Sequence, residues 1–353
     1  MRILLTGGCG FIGSAVVRRI LRSTDHSIVN VDKMTYAASE DALEDGRTDR
    51  RHLLIRADIG DHTAMSEIVA THQPDAIMHL AAESHVDRSI DGPGPFIQTN
   101  IVGTYVLLDV MRRYYAALPA ERQARFRFHH VSTDEVFGAL GPNDAPFTET
   151  TAYDPRSPYS ASKAASDHLV RAWFHTYGLP TLVSNTVNNY GPWQFPEKLI
   201  PLVTLNALEG QKLPVYGDGS QQRDWLFVDD HAEALVRVLE HGQAGATYAI
   251  GARQPRSNLA VVHAICDTLD ARMPDPAGPR RRLIHFVTDR PGHDFRYEID
   301  PSNAEQALSW KAPNNFETGL GKTVDWYLAN RTWWEGVRNA RYAGQRLGTT
   351  KAA

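Results

Sequence analysis

A glycine-rich segment near the N-terminus constrains the fold of this chain more than any other feature. Residues 6–13 read Thr-Gly-Gly-Cys-Gly-Phe-Ile-Gly and lie between a β-rich run at residues 3–6 and a run with helical spacing at residues 11–21. In such a strand–turn–helix unit, glycines permit a tight turn and let the backbone approach a pyrophosphate at the helix N-terminus. The glycines fit GxGxxG at 8, 10 and 13 or GxxGxxG at 7, 10 and 13. Both spacings predict a dinucleotide-binding site.

An acidic residue at the end of the second β-rich run indicates which dinucleotide binds. Asp32 follows the run at residues 28–31 and comes 19 residues after Gly13. A carboxylate there accepts hydrogen bonds from the adenosine ribose and disfavours a 2′-phosphate, so NAD is favoured over NADP. The neighbouring Lys33 weakens this preference slightly. The alternative, a structural glycine turn with a solvated aspartate, is disfavoured by the strand and helix on either side.

The first half of the chain alternates β-rich runs with helical patterns. The β-rich runs lie at residues 3–6, 28–31, 53–57, 76–79, 126–132 and 182–185, and the helical patterns at 11–21, 63–71, 96–118 and 160–177. This alternation requires crossover connections, so it predicts an α/β fold with a Rossmann-type, doubly wound parallel sheet. We expect an NAD-binding domain over residues 1–187 that carries the catalytic residues. A smaller C-terminal α/β lobe over 188–353 binds the substrate, with some chain returning to the first domain.

Composition excludes several other classes of protein. The net charge is −4 and 22% of the residues are charged, which is typical of globular proteins and argues against a nucleic-acid partner. No apolar run approaches the ~18–20 residues of a membrane span. Cys9 and Cys266 stand in unrelated settings, so neither a disulfide framework nor a metal site is expected. Glycines interrupt the N-terminus too early for a signal peptide, and we therefore expect a cytoplasmic protein.

Two short turns after predicted strands should face the cofactor. Asp58 and Ile59 follow the third strand, and Leu80, Ala81 and Ala82 follow the fourth. Ligands of open parallel sheets bind beyond the carboxyl ends of the strands, which places these turns near the adenine and the nicotinamide ribose. The two alanines equally fit a second interpretation, in which small residues merely allow close packing.

A tyrosine and a lysine lie on one face of a predicted helix. Tyr159 and Lys163 are four residues apart, and a nearby ammonium lowers the pKa of a phenol. Such a tyrosine removes a proton from an alcohol while nicotinamide takes the hydride. Ser132 and Thr133 end the preceding strand and are expected to orient the reacting hydroxyl. A YxxxK pair alone is common on solvated helices, but beside a dinucleotide site it predicts alcohol oxidation.

Two adjacent carboxylates follow the same strand. Asp134 and Glu135 come directly after Thr133, at the edge of the sheet where the cofactor should lie. Simple alcohol oxidation needs neither, so one interpretation is further acid–base chemistry: one carboxylate removes a proton next to the new ketone and the other protonates a leaving hydroxyl. The other is a helix N-cap, for which this composition is good. The residues alone leave both open.

Together these motifs resemble those of the extended short-chain dehydrogenase/reductases, and among them the dTDP-glucose 4,6-dehydratase family. The resemblance covers almost the whole chain. It is most specific over residues 78–90 (MHLAAESHVDRSI), 132–136 (STDEV), 159–163 (YSASK), 188–202 (NNYGPWQFPEKLIPL), 223–225 (RDW) and 289–294 (DRPGHD). Nucleotide-sugar 4-epimerases share the glycine motif and YxxxK but lack the Asp-Glu pair. That pair therefore discriminates between the two activities.

The resemblance implies a reaction and a role for each catalytic residue. Tyr159, assisted by Lys163, deprotonates the glucose 4-hydroxyl, which Thr133 holds, while hydride passes to NAD. Glu135 removes the C5 proton, Asp134 protonates the departing 6-hydroxyl, and hydride returns to C6 to give a 4-keto-6-deoxy sugar. NAD is regenerated in each turnover and should stay bound. The alternatives are a dehydratase or 4-epimerase of another nucleotide sugar such as UDP-glucose, or a silent NAD-binding scaffold, which the intact catalytic pairs disfavour.

The resemblance also implies binding residues and a homodimer. The cofactor residues that it implies are Phe11, Ile12, Asp32, Lys33, Thr35, Asp58, Ile59, Thr99 and Asn189, which join Gly7, Gly10, Gly13, Leu80, Ala81, Ala82, Tyr159 and Lys163 from the motifs above. The implied substrate residues are Ser84, Thr133, Asn188, Lys198, Leu199, Pro214, Tyr216, Arg223, Asn258, Arg290 and His293. The dimer would form through helices 96–118 and 160–177, whose Tyr105, Leu108, Met111 and Trp173 equally fit a core.

Three of the implied substrate residues have plain structural alternatives, and two positions depart from the family. Arg223 is a candidate ion-pair partner of Asp224, Asn258 a candidate helix N-cap, and His293 a candidate loop-capping residue. Phe137 and Val187 stand where the family usually has tyrosine and serine. Neither departure removes a group that carries a proton in the implied reaction.

Overall fold

A seven-stranded parallel sheet forms the centre of the molecule. The computed structural model describes residues 1–289, 293–340 and 342. Within them the strand order of the main sheet is β10-β6-β5-β4-β1-β2-β3, and every pairing is parallel. The strands of the molecule are β1 Arg2–Thr6, β2 Ser27–Asp32, β3 His52–Arg56, β4 Ala76–His79, β5 Arg127–Thr133, β6 Thr181–Thr186, β7 Asn188–Tyr190, β8 Leu213–Tyr216, β9 Gln222–Phe227, β10 Thr247–Ile250, β11 Pro255–Ser257, β12 Ile284–Val287 and β13 Arg296–Tyr297. The predicted doubly wound sheet is confirmed.

Helices cover both faces of this sheet. They are α1 Phe11–Ser23, α2 His62–His72, α3 Val86–Asp91, α4 Gly94–Phe96, α5 Thr104–Ala117, α6 Ala120–Arg125, α7 Pro158–Tyr177, α8 Leu199–Leu208, α9 Val228–His241, α10 Asn258–Arg272, α11 Ser302–Ala307, α12 Phe316–Ala329 and α13 Arg331–Ala340. A π-helical turn, Ile97–Gly103, joins α4 to α5, and short 3₁₀ turns span Glu40–Arg47, Asp134–Phe137 and Arg280–Leu283. No helix among the described residues is long and apolar enough to cross a membrane.

The alternation of side chains along β1 shows how the core is divided. Ile3 and Leu5 belong to a buried cluster with residues of α1 and α9, whereas Leu4 belongs to a second cluster with residues of α2 and α5. Successive side chains of a strand point to opposite faces, so an apolar run buried on both faces suits a parallel sheet covered by helices. The carboxyl ends of the strands are consequently the open edge where a ligand binds.

A smaller lobe follows the sixth strand of the main sheet. Strands β7, β9, β11 and β13 form one small sheet, and β8 pairs with β12. Helices α8, α10 and α12 bury a separate apolar cluster against them. The segment from α9 to β10 lies on the main sheet instead, where β10 pairs with β6. The lobe thus stands beside the carboxyl ends of the main strands.

Candidate active site

One cavity at the carboxyl ends of the strands brings together most of the residues that the sequence singled out. Of the predicted residues, its wall contains Gly7, Gly10, Phe11, Ile12, Gly13, Asp32, Lys33, Thr35, Ile59, Leu80, Ala81, Ala82, Ser84, Thr99, Thr133, Asp134, Glu135, Tyr159, Lys163, Asn188, Asn189 and Lys198. The glycine turn thus shares one cavity with both candidate catalytic groups.

The glycine turn is shaped for close approach. Gly7 has φ +76°, and a Cβ there would lie 2.7 Å from the Ala81 backbone nitrogen, while a Cβ on Gly13 would overlap the Gly7 carbonyl oxygen. Gly10 occupies the N-cap of α1, and among the described residues no side chain caps that helix end. Its first-turn amides are therefore suited to a ligand anion such as a pyrophosphate. Ala81 serves both interpretations, because it lines the cavity and packs on Gly7.

The polar groups around Asp32 fit NAD. The Asp32 carboxylate accepts hydrogen bonds from the backbone N–H groups of Cys9 (2.9 Å) and Met34 (2.8 Å) and still faces the cavity, and burial raises its pKa. Lys33 Nζ donates to Thr99 Oγ1 at 3.1 Å and lies 3.6 Å from Asp58 Oδ2. This lysine is therefore held by partners rather than left for a 2′-phosphate. Asp58 itself lies beside the cavity wall.

Two buried amide oxygens further along the cavity also fit a bound cofactor. Asn189 Oδ1 and Gln194 Oε1 belong to residues that line the cavity, and neither has a hydrogen-bond partner among the described residues. A buried polar atom without a partner is costly, typically about 1–3 kcal/mol. A polar ligand such as a dinucleotide would remove that cost. Gln194 was not predicted as a site residue from the sequence.

Helix α7 positions the tyrosine and the lysine. Ser157 and Ser160 form a reciprocal capping box at its first turn, which fixes the helix end that carries Tyr159. Tyr159 and Lys163 are both buried, with 8% and 4% of their surfaces exposed. Lys163 Nζ donates to the Val131 carbonyl oxygen at 2.9 Å, and burial lowers its pKa to about 8. The helix thus presents both groups to the cavity from one face.

The expected lowering of the Tyr159 pKa is wrong, because the pKa is raised. Burial and the nearby charge of Glu135 raise that pKa, while a hydrogen bond with Thr133 acts in the opposite direction. The ammonium of Lys163 is directed at the Val131 carbonyl oxygen instead of the phenol. The sequence spacing correctly placed the two residues on one face but could not show how strongly burial disfavours a phenolate.

The two carboxylates occupy different environments. Asp134 is 1% exposed, and burial followed by repulsion from Glu135 raises its pKa well above the usual range. Its Oδ2 atom has no hydrogen-bond partner among the described residues. Glu135 is only partly buried and lines the cavity. Different environments of this kind assign one carboxyl as an acid and the other as a base. The N-cap of this short turn is Thr133, whose Oγ1 accepts from the Glu135 amide at 3.3 Å.

The orienting role expected for Ser132 stays a prediction. Ser132 lines the cavity, and its Oγ donates to Asp167 Oδ2 at 2.9 Å. The two departures from the family also differ in setting. Phe137 is 3% exposed and packs against the rings of Phe147 and Tyr153, whereas Val187 lines the cavity. Only the serine-to-valine departure therefore changes a surface that a ligand reaches.

The substrate residues predicted in the second lobe divide into two groups. Lys198 Nζ donates to the Ser84 carbonyl oxygen at 2.9 Å, across the cavity. Beyond the wall of this cavity lie Leu199 at the start of α8, Pro214 and Tyr216 on β8, Arg223 on β9, Asn258 at the start of α10, and His293. Arg290 falls outside the described residues. The structure therefore places only part of the predicted substrate set in the cavity wall, although the positive charge of Arg223 is close enough to lower the pKa of Asp134.

The structural alternatives for three of these residues have different outcomes. Arg223 donates to the backbone carbonyls of Gln222, Asp294 and Phe295. The Asp224 carboxylate instead accepts hydrogen bonds from three backbone N–H groups. Each of the two side chains is therefore held by backbone groups rather than by a simple ion pair between them. The N-cap of α10 is Ser257 and not Asn258, since the Ser257 side chain accepts from the Ala260 amide. His293 Nδ1 lies 2.7 Å from Asp289 Oδ1.

The sequence did not predict a cluster of three side chains, Tyr36, Arg88 and Glu197, that joins the segment before α8 to the N-terminal part of the chain at the cavity. Glu197 accepts from the Tyr36 hydroxyl and from Arg88 Nε, both at 2.9 Å. The Arg88 guanidinium also lies 4.1 Å from the centre of the Tyr36 ring. Tyr36 and Glu197 line the cavity. The sequence indicated these residues only indirectly, since residues 88 and 197 lie inside the segments 78–90 and 188–202 in which the family resemblance is most specific.

Comparisons with known proteins assign this site to a family. A family model described as GDP-mannose 4,6 dehydratase matches residues 4–323. The dTDP-glucose 4,6-dehydratase of Shigella flexneri is 59% identical over 350 residues, which cover 97% of each chain. The chain belongs to the dTDP-glucose 4,6-dehydratase family.

Solved structures agree with membership of the dTDP-glucose 4,6-dehydratase family. The dTDP-glucose 4,6-dehydratase of Streptomyces venezuelae, solved with NAD and TYD (thymidine diphosphate) bound, superposes with a TM-score of 0.87 and 39% identity, covering 96% of this chain and 100% of that chain. The UDP-glucose 4-epimerase of Thermotoga maritima gives a TM-score of 0.82 at 26% identity, covering 94% and 100%. The fold is thus shared by both enzymes, while sequence identity favours the dehydratase.

Proposed function

We propose that this protein is an NAD-dependent dTDP-glucose 4,6-dehydratase, a lyase that converts dTDP-glucose to dTDP-4-keto-6-deoxyglucose with loss of water. The observation that carries the proposal is the meeting of the Tyr159–Lys163 pair with Asp134 and Glu135 in the cavity that contains the glycine turn. The 59% identity to the Shigella flexneri dehydratase supports the same activity over a 4-epimerase.

NAD fits the wall of the cavity. When bound, NAD supplies the acceptor for the hydride that leaves C4 and the donor of the hydride that C6 receives. The amides at the start of α1 would hold its pyrophosphate, and the Asp32 carboxylate its adenosine ribose. Lys33, Thr99 and Asp58 form a polar cluster on the same side. The NAD bound in the Streptomyces venezuelae structure supports this assignment.

Tyr159 and Thr133 act on the 4-hydroxyl of the sugar. The Thr133 hydroxyl orients it and the Tyr159 oxygen takes its proton. Burial raises the pKa of the phenol. Lys163, one helical turn away on the same face of α7, carries the positive charge that favours the phenolate. Loss of the 4-hydroxyl proton to Tyr159, together with loss of the C4 hydride to the acceptor that bound NAD would supply, leaves a ketone that acidifies the neighbouring C5–H bond.

Glu135 and Asp134 then carry out the elimination. Glu135, partly exposed in the cavity, takes the C5 proton, and the electron pair of that bond forms the C5–C6 double bond. Asp134, held protonated by burial, donates its proton to the 6-hydroxyl, which leaves as water. C6 then receives the hydride and C5 regains a proton. The net change is the loss of one water, so no external oxidant or reductant is consumed.

A homodimer belongs to the same proposal. Ile97, Tyr105 and Tyr177 are 52%, 47% and 48% exposed on the outer faces of α5, α7 and the preceding π turn. Tyr105 and Trp173 are in edge-to-face contact with centroids 6.0 Å apart. Such a patch suits a second copy of this chain. By contrast Leu108 and Met111 are fully buried in the core. The cytoplasmic location remains a prediction.

Turnover of three nucleotide sugars tests the proposed substrate. With dTDP-glucose, UDP-glucose and GDP-mannose at equal concentrations, we expect mass spectrometry to show loss of water from dTDP-glucose. We expect a kcat/KM about fivefold or more above that for UDP-glucose, since the thymine methyl contributes about 1 kcal/mol of contact. A product of unchanged mass would indicate an epimerase, and faster turnover of UDP-glucose or GDP-mannose would contradict the base assignment.

A further inference from the structure

A buried carboxylate on α7, the helix that carries Tyr159 and Lys163, has no role in the reaction described above. Asp167 lies on α7, four residues after Lys163 and eight after Tyr159, and its surface exposure is 0%. A charged group is costly to bury unless several partners satisfy it. The Asp167 carboxylate is therefore stabilised by a specific set of contacts.

Side chains from three parts of the chain converge on Asp167. Its Oδ2 accepts from Ser132 Oγ at 2.9 Å, from the Tyr153 hydroxyl at 2.8 Å and from Asn185 Nδ2 at 3.1 Å. Its Oδ1 lies 3.2 Å from His130 Nε2. Burial alone would raise the pKa of Asp167, but the contacts with His130, Lys163 and Ser132 outweigh it and lower that pKa. Asp167 is thus an anion inside the protein.

The imidazole of His130 lies between this anion and the catalytic lysine. His130 Nε2 is 3.4 Å from Lys163 Nζ and 3.2 Å from Asp167 Oδ1. Burial and the charge of Lys163 lower the pKa of His130 to about 4, so the ring is neutral at pH 7. A lysine ammonium only donates hydrogen bonds, so His130 Nε2 accepts from Lys163 in this contact. Lys163 Nζ and Asp167 Oδ1 both lie close to this one nitrogen, and the negative charge of Asp167 raises the pKa of the lysine.

The other groups around Lys163 do not supply a compensating charge. His79 on β4 is neutral because burial lowers its pKa well below the usual value, and Tyr159 on α7 is a protonated phenol. From β5, His130 is neutral and Val131 contributes a carbonyl oxygen. The charge that raises the Lys163 pKa against burial is that of Asp167.

Asp167 also fixes the strand that carries the other catalytic residues. Ser132, which donates to Asp167, directly precedes Thr133 on β5. Asn185 Nδ2 on β6 bridges Asp167 Oδ2 and the Thr133 carbonyl oxygen, both at 3.1 Å. One carboxylate therefore links helix α7 to the strand end that carries the acid and the base.

We infer that Asp167 is a positioning residue of the active site, whose buried charge stabilises the Lys163 ammonium and whose hydrogen bonds lock the end of β5 to α7. This inference rests on the proposed function for its effect on turnover. It adds to the site a fully buried residue that lies outside the cavity wall. Its spacing of four and eight residues on one helix face places it directly behind the YxxxK pair.

The Asp167→Asn variant tests the inference, because an amide keeps the shape and removes the charge. We expect kcat for dTDP-glucose to fall about tenfold to a hundredfold with KM changed less than about threefold. Lys163 loses its positive charge as the pH rises through its pKa of about 8. That pKa is lower when the negative charge of Asp167 is removed. The alkaline limb of the kcat profile should therefore move at least about one pH unit lower. Unchanged kcat and an unchanged limb would overturn the inference.

Asp230→Asn is the matched control. Asp230 is also a buried carboxylate, 3% exposed, and it accepts hydrogen bonds from the Asn314 backbone N–H at 3.0 Å and from Asn314 Nδ2 at 2.6 Å, in another part of the fold. Its replacement should lower the melting temperature without moving the alkaline limb. A shift of that limb as large as that caused by Asp167→Asn would show that any buried aspartate produces it, and would contradict the inference.

Two further measurements keep the test decisive. The first is the pKa of Lys163, measured by NMR of isotope-labelled lysine without substrate. This pKa should be lower in Asp167→Asn than in the wild type, and an equal value would contradict the inference. The measurement does not depend on activity, so it holds even if the wild type is inactive on dTDP-glucose. If Asp167→Asn does not fold, Tyr153→Phe removes one hydrogen bond to the carboxylate. It should lower kcat several-fold, and wild-type kcat would overturn the positioning role.

Discussion

Replacing Glu135 with glutamine should stop the elimination and lower formation of the 4-keto-6-deoxy product by a factor of about 10²–10⁴, the usual loss when a general base is removed. The amide keeps the size of the side chain but accepts no proton from C5. Glu135 is not one of the predicted cofactor residues, so the NAD content of the purified protein should equal that of the wild type. Product formation by mass spectrometry measures the effect.

The Asp134→Asn variant separates the two carboxylates. Asp134 is the buried, protonated member of the pair, so its loss should block departure of the 6-hydroxyl while Glu135 still removes the C5 proton. In deuterium oxide the recovered sugar should therefore gain deuterium at C5 in Asp134→Asn and none in Glu135→Gln. The reverse pattern would exchange the two roles, and full turnover by Glu135→Gln would remove it from the mechanism.

The Tyr159→Phe variant should lose C4 oxidation, and with it every later step. Without the phenol oxygen the 4-hydroxyl keeps its proton, and we expect kcat to fall by about 10²–10⁴. Because a ketone at C4 is needed to acidify C5, deuterium exchange at C5 should disappear as well. Product formation and C5 exchange, measured on the same samples, give both quantities.

Tyr114→Phe is the control for this substitution. The Tyr114 hydroxyl donates to the Pro74 carbonyl oxygen at 2.9 Å, beside the amino end of β4 and outside the cavity wall, so its loss should leave kcat near that of the wild type. If Tyr159→Phe retained C5 exchange, oxidation at C4 would not depend on this phenol, and another group would have to take the proton.

The fold was predictable because its signals are local and repeated. The run at residues 3–6 alternates between two buried faces, and the glycine spacing around residue 10 requires the turn that the structure shows. Helix 96–118 was predicted as continuous, but it contains a π turn over Ile97–Gly103. The spacing of apolar side chains does not show whether the backbone hydrogen bonds of a helix are of the α or the π type. In this π turn, the Asn100 side chain hydrogen-bonds to the Glu83 backbone and to Ser162 Oγ, which are contacts between distant parts of the chain.

The site was predictable in its membership but less so in its electrostatics. Sequence spacing placed Tyr159 and Lys163 together, yet the pKa of Tyr159 depends on burial and on Glu135, which lies in the short turn after β5. Likewise two of the three carbonyls that Arg223 contacts belong to Asp294 and Phe295, which are 71 and 72 positions away. Asp167 had a usable signal, its position on the Tyr159–Lys163 face, but its partners on β5 and β6 become neighbours only in the folded chain.

The most direct test of this account is a single incubation of the purified protein with dTDP-glucose in deuterium oxide, with no NAD added. We predict a nucleotide sugar that has lost one water and carries one deuterium at C5, because Glu135 exchanges its proton with solvent and the cofactor stays bound. The same product formed at the same rate after adding NAD would agree with this. A sugar nucleotide of unchanged composition, with or without added NAD, would contradict the assignment as a 4,6-dehydratase.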